Sequence, residues 1–360
     1  MSQKRINVTK SFLPPKEEYE AILEKVWETN WLTNLGPLVK QLEQKLKDYL
    51  EVDHMTLMTN GTFPIQIALK TMDLKGEIIT TPFSYVATTS TIIWEGCEPV
   101  FVDIDPNHLT IDESKIEAAI TGKTSAIMAT HVYGNPCNVE EIDRIAKKHN
   151  LKVIYDAAHC FGVNYKGKSI FNYGDVSTCS FHATKIFHTG EGGCIISNNE
   201  DLQKDFFNHH NFGHKNNEEF YGLGVNAKMS ELQAAMGLAV FNHFDHIKSE
   251  RKKSVENYLS LLKNKPVSFL TIREHTEWNY PYFPIFMENE EAVLETQERM
   301  HKHNIFPRRY FFPSLNNLPY ITKKFDCPVS EDISRRVLCL PLFVGLSTED
   351  QERISQLIHD

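Results

Sequence analysis

Two charged residues, one at the end of an apolar strand and one inside an apolar run, together indicate one kind of chemistry. Asp156 closes the run KVIYDAA (residues 152–158), and Lys185 lies within SFHATKIFHTGEGGC (residues 180–194). A carboxylate at the end of a buried strand is costly unless it meets a positive partner. A helix N-cap or a structural ion pair would satisfy Asp156 as well. If the two runs are neighbouring strands, their ends present an acid and an amine to the same crevice.

An acid facing an amine suits pyridoxal 5'-phosphate, whose aldehyde reacts with a lysine and whose ring nitrogen stays protonated beside a carboxylate. Its phosphate needs backbone N–H groups, which a helix N-terminus supplies. The segment TNGTFPIQIALK (residues 59–70) predicts such a site: a strand, then Gly61 and Thr62, then a helix with free N–H groups. Ser180 would add a hydroxyl, and Tyr85 would stack on the ring. A helix cap at Thr62 and a core position for Tyr85 are the simpler alternatives.

The elements that must position these residues alternate along the chain from residue 54. Strand-like runs are HMTLM, EIITT, PVFVD, SAIMAT, KVIYDAA, VSTCSF and CIISN. Helical spacing of apolar residues occurs in PIQIALKTMDL, DESKIEAAI and NVEEIDRIAKKHN. This order predicts an α/β fold, a mostly parallel mixed sheet sandwiched by helices, with its site at the C-terminal ends of the strands.

The pattern changes after residue 200. A histidine-rich, glycine-punctuated stretch precedes what we predict to be one long helix over residues 228–262, a hinge into a second domain. Further on, VSFLTI and NYPYFPIFM predict strands, and EAVLETQERMHKHN and TEDQERISQLIH predict helices. We expect a large cofactor-binding domain over 15–245 and a smaller C-terminal α+β domain over 246–360, with residues 1–14 packed near it.

Composition excludes several other classes of protein. The 360 residues carry a net charge of -9, which argues against nucleic-acid binding. No apolar run approaches the roughly eighteen residues that span a bilayer, and no signal sequence is visible, so we expect a soluble cytoplasmic protein. Seven widely spaced cysteines without a C-x-x-C pair argue against disulfides and thiolate zinc. His209, His210 and His214 form H-H-x-x-x-H, but no further ligand falls in register, and we predict no metal site.

The ordered motifs of the chain resemble those of the DegT/DnrJ/EryC1/StrS family of sugar aminotransferases. They are WLTNLGPLVKQLEQKLKDYL, NGT, PFSYVATTSTIIWEGCEPVFVDID, HVYGNP, DAAHCFG, SFHATKIFHTGEGG and GVNAKMSELQAAMG, followed by RRYFFPSL and RRVLCLPLFVGLSTED. The resemblance covers nearly the whole chain. It implies a fold type I, pyridoxal-phosphate-dependent enzyme that acts on nucleotide-linked keto sugars.

The resemblance also assigns roles around the cofactor ring. It makes Lys185 the Schiff-base lysine and general acid/base, and Asp156 the partner of the pyridine nitrogen. His159 would lie beside the phenolic oxygen of the cofactor, and Tyr85 over its ring.

Around the phosphate, the resemblance implies Gly61, Thr62, Phe63 and Ser180. In this family an asparagine of the partner subunit completes the phosphate site, and Asn226 matches it. The resemblance therefore implies a homodimer with shared active sites. The sequence departs from the commoner family pattern at Phe63-Pro64, where Ala-Leu is usual, which puts the details of the phosphate contacts in doubt.

A sugar diphosphate must be held by positive groups, and Arg308, Arg309 and Lys228 are candidates, although a solvated face is the simpler reading of the paired arginines. Tyr310 matches a family position near the substrate channel. Lys228 stands where an arginine is frequent. The likeness favours transfer of an amino group from L-glutamate to C4 of dTDP-4-keto-6-deoxy-D-glucose, giving dTDP-4-amino-4,6-dideoxyglucose. Amination at C3 of a dTDP-sugar, amination of a UDP-linked 4-keto sugar and a non-catalytic cofactor-binding regulator stay open. So does the end product, whether lipopolysaccharide O-antigen, capsule or glycosylated small molecule.

Overall fold

The computed structural model describes residues 4–358 of the chain. Residues 1–3 and 359–360, at the outer ends of the predicted domains, lie outside the described residues. The strands in chain order are β1 (Ile6–Asn7), β2 (Thr56–Met58), β3 (Glu77–Thr80), β4 (Glu98–Phe101), β5 (Thr124–Thr130), β6 (Lys152–Asp156), β7 (Asn164–Tyr165), β8 (Lys168–Ser169), β9 (Val176–Ser180), β10 (Gly193–Ile196), β11 (Ser268–Phe269), β12 (Thr276–Glu277), β13 (Phe283–Phe286), β14 (Ile305–Phe306) and β15 (Val337–Leu340).

The helices are α1 (Lys16–Thr29), α2 (Pro37–Leu50), α3 (Phe63–Thr71), α4 (Val86–Trp94), α5 (Ile116–Ala119), α6 (Val139–His149), α7 (Glu200–His210), α8 (Glu231–Phe241), α9 (Phe244–Leu261), α10 (Glu290–Lys302), α11 (Pro328–Arg336) and α12 (Thr348–Gln356). Helix α6 illustrates why they form. The Asn138 side chain caps it by accepting from the N–H of Glu141, and Lys147 and Lys148 lie in its last turn, where positive charge favours the helix dipole. Its apolar face packs into the core.

The central sheet has seven strands in the order β2-β10-β9-β6-β5-β3-β4. The pairs among β9, β6, β5, β3 and β4 are parallel, whereas β10 runs antiparallel to both of its neighbours. This is the mostly parallel mixed sheet that the alternating sequence predicts. Because β6 and β9 are parallel neighbours, Asp156 and the chain after Ser180 emerge at the same edge of the sheet.

A second apolar core lies around the antiparallel sheet β11-β13-β15. Helices α9, α10 and α12 supply buried residues to it, and Ile6 joins it because β1 pairs in parallel with β14. Farther along, Ser11 donates its hydroxyl to the carbonyl of Ala183, so the N-terminal segment contacts both parts of the molecule. The division at 245/246 stays a proposal, since α9 contributes Ile247 to the large core and Val255 to the small one.

The prediction of one helix over 228–262 is wrong. Two helices, α8 and α9, are separated by Asn242 and His243, and His243 leaves the helical region with φ of -110° and ψ of 8°. No proline or glycine marks the break. The two helices nevertheless differ in character, because seven of the eleven residues of α8 are buried whereas α9 carries many charged residues.

All seven cysteines are free and buried. The three histidines of the H-H-x-x-x-H pattern each contact a backbone carbonyl through Nδ1, those of Asp205, Phe207 and Asn216. Within residues 4–358, no helix combines the length and the apolar character needed to cross a membrane.

Candidate active site

Lys185 lies on a loop that joins β9 to β10 across the edge of the central sheet. The loop is held by backbone hydrogen bonds from Phe181 N–H to the Gly192 carbonyl and from Ala183 N–H to the Gly190 carbonyl, both 2.7 Å. Thr189 N–H also donates to the Phe181 carbonyl at 3.0 Å. Because both ends are strands of the sheet, the position of Lys185 is fixed by the sheet itself.

Two glycines after the lysine are required for different reasons. Gly190 has a φ of +82°, a conformation that other residues rarely adopt. Gly193 is required by space, since a Cβ there would collide with the carbonyl oxygen of Asn60 and lie 2.7 Å from that of Cys179. The end of β2, which leads into helix α3, therefore passes directly against the start of β10.

Asp156 ends β6 and is only 5% exposed. Its Oδ2 accepts the hydroxyl of Thr88 at 2.6 Å, and its Oδ1 accepts the N–H of Ala158 at 3.1 Å. Among the residues that the structure describes, no lysine, arginine or histidine pairs with it. A buried carboxylate with only neutral partners is what a protonated ring nitrogen would require, because each then supplies the other's missing counter-charge.

Lys185 and Asp156 line the same cavity, which has a volume of about 720 Å³. The amine of Lys185 contacts the hydroxyl of Tyr282, with Nζ and Oη 3.4 Å apart. Within the described part of the chain, Lys185 forms no ion pair. An amine without an acid partner is free to react with an aldehyde.

His159 also lines the cavity and is 4% exposed. Its Nδ1 accepts the backbone N–H of Tyr133 at 3.1 Å, which leaves the proton of the neutral ring on Nε2. Burial, with a smaller contribution from the charge of Lys185, holds the pKa of His159 well below its usual value. His159 is therefore neutral near pH 7 and acts as a hydrogen-bond donor at Nε2, which fits a partner oxygen.

The residues predicted to bind the phosphate lie together at the start of α3, but two of the expected N–H groups are already bonded. Gly61 and Ser180 line the cavity, and a Cβ on Gly61 would lie 2.6 Å from Cβ of Ser180, so the two backbones approach as closely as glycine allows. The N–H groups of Thr62 and Phe63 are not free, because Oδ1 of Asn60 accepts both, at 2.9 and 3.0 Å. An arriving phosphate would have to displace this side chain or bind beside it.

Aromatic side chains surround the remaining wall. Tyr85 lines the cavity but is 58% exposed, at the rim. Phe311, which the sequence did not single out, is buried and stacks on His159 with ring centroids 5.8 Å apart and planes 3° apart. Tyr310 packs edge-on against Tyr282 at 5.5 Å. Burial is the main cause of the raised pKa of Tyr310.

The four predicted substrate contacts separate into two groups. Arg308 and Tyr310 line the cavity. Arg309 does not: its guanidinium pairs with Glu290 at 2.7 Å and lies 3.6 Å from the centre of the Phe312 ring. Lys228 lies outside the lining as well, 4.8 Å from the ring centre of Phe212, and partial burial lowers its pKa.

Two residues predicted at the cofactor do not line this cavity. Phe63 contributes only its backbone N–H to the turn and packs against the apolar core beneath α3. Asn226 is exposed and pairs with Asn211 in an isolated bridge. An exposed asparagine outside its own chain's cavity is available to a second chain.

With this geometry described, comparison with known proteins decides the family. Residues 15–359 match the DegT/DnrJ/EryC1/StrS aminotransferase family. The chain belongs to this family. It is 40% identical over 364 residues to dTDP-4-amino-4,6-dideoxy-D-glucose transaminase from Shigella dysenteriae, covering 99% of both chains. It is 31% identical over 345 residues to GDP-perosamine synthase from Escherichia coli O157:H7, covering 92% of both.

Among solved structures, that of DesI in the presence of its TDP-sugar product matches with a TM-score of 0.94 and 29% identity, covering 99% of this chain and 92% of that one. As a member of this aminotransferase family, the protein is a fold type I enzyme that depends on pyridoxal 5'-phosphate. The predicted fold class, enzyme class and cofactor are confirmed.

The residues present fit this cofactor. Lys185 offers an amine without an ion-pair partner, Asp156 a buried carboxylate without a counter-charge, and Gly61 and Ser180 a close backbone approach next to the start of α3. When bound, pyridoxal 5'-phosphate supplies an aldehyde that exchanges amines and a ring that withdraws electrons from the adjacent carbon. The chain supplies the rest: an amine, a carboxylate, a neutral imidazole and a walled cavity.

Sequence reasoning missed several residues at the cavity, and four of them bear on the chemistry of the site. Thr88 and Phe311 lie in quoted motifs, PFSYVATTS and RRYFFPSL, but a threonine one helical turn after Tyr85 and a phenylalanine carry no distinct signal. Tyr282 lies in NYPYFPIFM, which predicts only a core strand. His182, within SFHATK, lines the cavity, and its imidazole lies 3.6 Å from Glu191.

Proposed function

We propose that this aminotransferase moves an amino group from L-glutamate to C4 of dTDP-4-keto-6-deoxy-D-glucose, producing dTDP-4-amino-4,6-dideoxyglucose. The observation that carries the transaminase chemistry is the buried, cation-free Asp156 in one cavity with the unpaired amine of Lys185. The choice of sugar is supported by the 40% identity, over 99% of both chains, to an enzyme of Shigella dysenteriae named for this amino sugar.

In this proposal each residue has a defined task. Lys185 Nζ would serve as the acid and base of the reaction, taking a proton from the α-carbon of the amino donor and returning one when the keto sugar is aminated. Asp156 would hold the proton of the ring nitrogen, and His159 would donate from Nε2 to an oxygen of the cofactor. Gly61 and Ser180 would bind the phosphate.

The sugar nucleotide would enter past the exposed Arg308, whose guanidinium lies 5.7 Å from the ring centre of Tyr310. A guanidinium beside an aromatic ring suits a diphosphate next to a sugar, because charge and a flat apolar face are offered together. The protein as a whole is acidic, so this local positive group matters for anion binding.

We also propose a cytoplasmic homodimer in which each subunit completes the other's site with Asn226. The segment that leads to Asn226 supports this, because Phe220, Tyr221 and Leu223 are between 60% and 70% exposed. Apolar side chains at this exposure are a typical protein contact surface.

The test follows the visible absorption band of the purified, cofactor-loaded protein. Adding L-glutamate alone should bleach the band, and adding the correct keto sugar to the bleached protein should restore it. We expect restoration by dTDP-4-keto-6-deoxy-D-glucose, with nuclear magnetic resonance of the product placing nitrogen at C4. UDP- and GDP-linked 4-keto sugars and a dTDP-3-keto sugar are the competing substrates.

Two results would contradict the proposal at different levels. Restoration by a UDP- or GDP-linked sugar in preference to the dTDP-sugar would keep the chemistry and overturn the substrate. A band that glutamate does not bleach would overturn the transaminase reaction. Lys185→Ala should fold and abolish turnover, and retained turnover in that variant would overturn the role of the lysine.

A further inference from the structure

Tyr282 is the one side chain whose polar group contacts the amine of Lys185 within residues 4–358. It lies in the connection between β12 and β13, and only 6% of it is exposed. Its hydroxyl is 3.4 Å from Lys185 Nζ, and both residues line the cavity. A residue of the C-terminal part of the chain thus reaches the reactive amine.

The backbone that carries Tyr282 is held by an unusual partner. Arg251 is 4% exposed, and its guanidinium donates from Nε to the carbonyl of Tyr280 at 2.9 Å and from a terminal nitrogen to that of Pro281 at 2.6 Å. No acid pairs with Arg251 in the described part of the chain. A buried charge that relies on carbonyls alone binds them firmly, because losing either one would leave part of it unsatisfied.

A second anchor fixes Tyr282 relative to the cofactor site. Asn279 is fully buried, and its Nδ2 donates to the carbonyls of His159 at 2.8 Å and Phe161 at 3.0 Å. The Tyr282 ring then packs edge-on against the imidazole of His159, with centroids 5.0 Å apart. Both anchors therefore hold residues 279–281, directly before Tyr282, and so fix where its ring and hydroxyl lie.

We propose that Tyr282 is a positioning residue for Lys185: its hydroxyl holds Nζ in place while the amine carries protons. This inference rests on the transaminase reaction proposed above. A lysine side chain that is released into a cavity has several rotatable bonds, and ordering it for each proton transfer costs free energy. A phenol serves both forms of the amine, since it accepts from the ammonium and donates to the neutral nitrogen.

The holoenzyme tests this with Tyr282→Phe and α-deuterated L-glutamate. We expect the bleaching rate at saturating glutamate to fall about 10-fold. The deuterium isotope effect should rise above that of the wild type, because proton transfer becomes slower than every other step. The concentration of glutamate that gives half the maximal rate should change little.

Tyr258→Phe is the matched control. Tyr258 is also fully buried, and its hydroxyl donates to the carbonyl of Pro341 at 3.0 Å in the second apolar core, without contact to Lys185. It should lose stability but keep the rate and isotope effect of the wild type. Equal rates and isotope effects for Tyr282→Phe and the wild type would overturn the role of Tyr282, whereas a wild type that glutamate does not bleach would overturn the reaction itself.

A readout on the cofactor-free full-length chain completes the test. The ¹³Cε resonance of Lys185, assigned by its absence from Lys185→Ala, should move in Tyr282→Phe and stay unchanged in Tyr258→Phe. An unmoved resonance in both variants would contradict the contact. If Tyr282→Phe does not fold, 3-fluorotyrosine at position 282 keeps the ring and makes the hydroxyl more acidic; the pH profile of bleaching should then shift, and an identical profile would overturn the proposal.

Discussion

Thr88 donates its hydroxyl proton to Oδ2 of Asp156, and the two oxygens are 2.6 Å apart. Because that proton is committed, the neighbouring Ser84 hydroxyl, 2.8 Å away, must donate to Thr88, and Thr130 donates to Ser84 at 3.0 Å. The three hydroxyls form a chain in which every proton points towards the carboxylate. Such a chain gives Asp156 hydrogen-bond donors and no cation, which leaves the carboxylate to pair with a protonated ring nitrogen.

Thr88→Val should weaken cofactor binding. The substitution keeps the shape of the side chain and removes a hydrogen bond to a charged group, a loss of about 1.5–3 kcal/mol, or at least roughly 10-fold in Kd. Titration of the cofactor-free protein with pyridoxal 5'-phosphate measures this directly. Thr88→Ser keeps the hydroxyl and should bind nearly as well as the wild type; a Kd as weak as that of the valine variant would contradict this account.

The paired arginines should differ in their effects. Arg308→Ala should raise KM for the sugar nucleotide about 10-fold, because it removes a charged hydrogen-bond donor from the cavity wall, while stability changes by less than about 0.5 kcal/mol. Arg309→Ala should instead lower the free energy of unfolding by about 2 kcal/mol, since Glu290 loses its ion-pair partner. Steady-state kinetics and urea unfolding separate the two, and a KM effect confined to Arg309→Ala would contradict the structure.

Gly193→Ala should destabilise the protein by about 2–3 kcal/mol, because the new methyl group collides with the carbonyl of Asn60 and forces the end of β2 away from β10. Gly122→Ala is the control, since a Cβ there meets no atom within 4 Å. Its effect should stay within about 0.5 kcal/mol of zero. Denaturant unfolding of both variants is sufficient, and equal stabilities would show that the close approach does not constrain the chain.

If two chains share each site, mixed inactive variants should regain activity. Lys185→Ala and Asn226→Ala each remove one of the two residues that a shared site needs. A dimer of one chain of each variant then contains one site with both wild-type residues. Refolding an equal mixture should restore about one quarter of the wild-type activity, because half of the dimers are mixed and each has one working site. A mixture no more active than its components would show that Asn226 does not act in the partner's site.

The buried His131 should make the protein sensitive to acid. Its burial lowers its pKa from 6.5 to about 3, so in the folded state it stays neutral while the unfolded chain takes up a proton below pH 6.5. Its contribution to stability is therefore complete above pH 6.5 and is lost as the pH falls towards 3. His131→Gln should reduce this loss by up to about 1.4 kcal/mol per pH unit.

Unfolding curves at several pH values between 4 and 7 test this prediction. At pH 7 the glutamine variant should have a lower free energy of unfolding than the wild type, since it loses the stacking of His131 on Tyr155. The centroids of these two rings are 4.4 Å apart. A pH dependence identical to that of the wild type would contradict the assignment to His131.

Asp156 and Lys185 were predictable because a charge at the end of an apolar run is physically conspicuous. The position of Arg309 outside the cavity was not predicted. Successive side chains of an extended chain point to opposite sides, so only one of two adjacent arginines is expected to face a cavity. The break between α8 and α9 carries no proline or glycine, so local propensity gives no warning of it.

Tyr282 and Thr88 show where sequence reasoning ends. Each lies in a sequence run whose apolar pattern predicts only a core position, and each contacts its partner across 97 or 68 positions of the chain. Tertiary contacts of that range depend on how the second core packs beside the central sheet, which no local pattern records.

The antiparallel direction of β10 affects when the cofactor site can form during synthesis of the chain. The lysine loop is closed only when β10 pairs with β9 and also with β2, whose residue Leu57 lies opposite Cys194. A nascent chain that has not yet emerged past residue 196 from the ribosome lacks one wall of the cofactor site, however well its earlier strands have formed. We therefore expect the cofactor to bind late in synthesis, after the long-range pairing that closes the sheet.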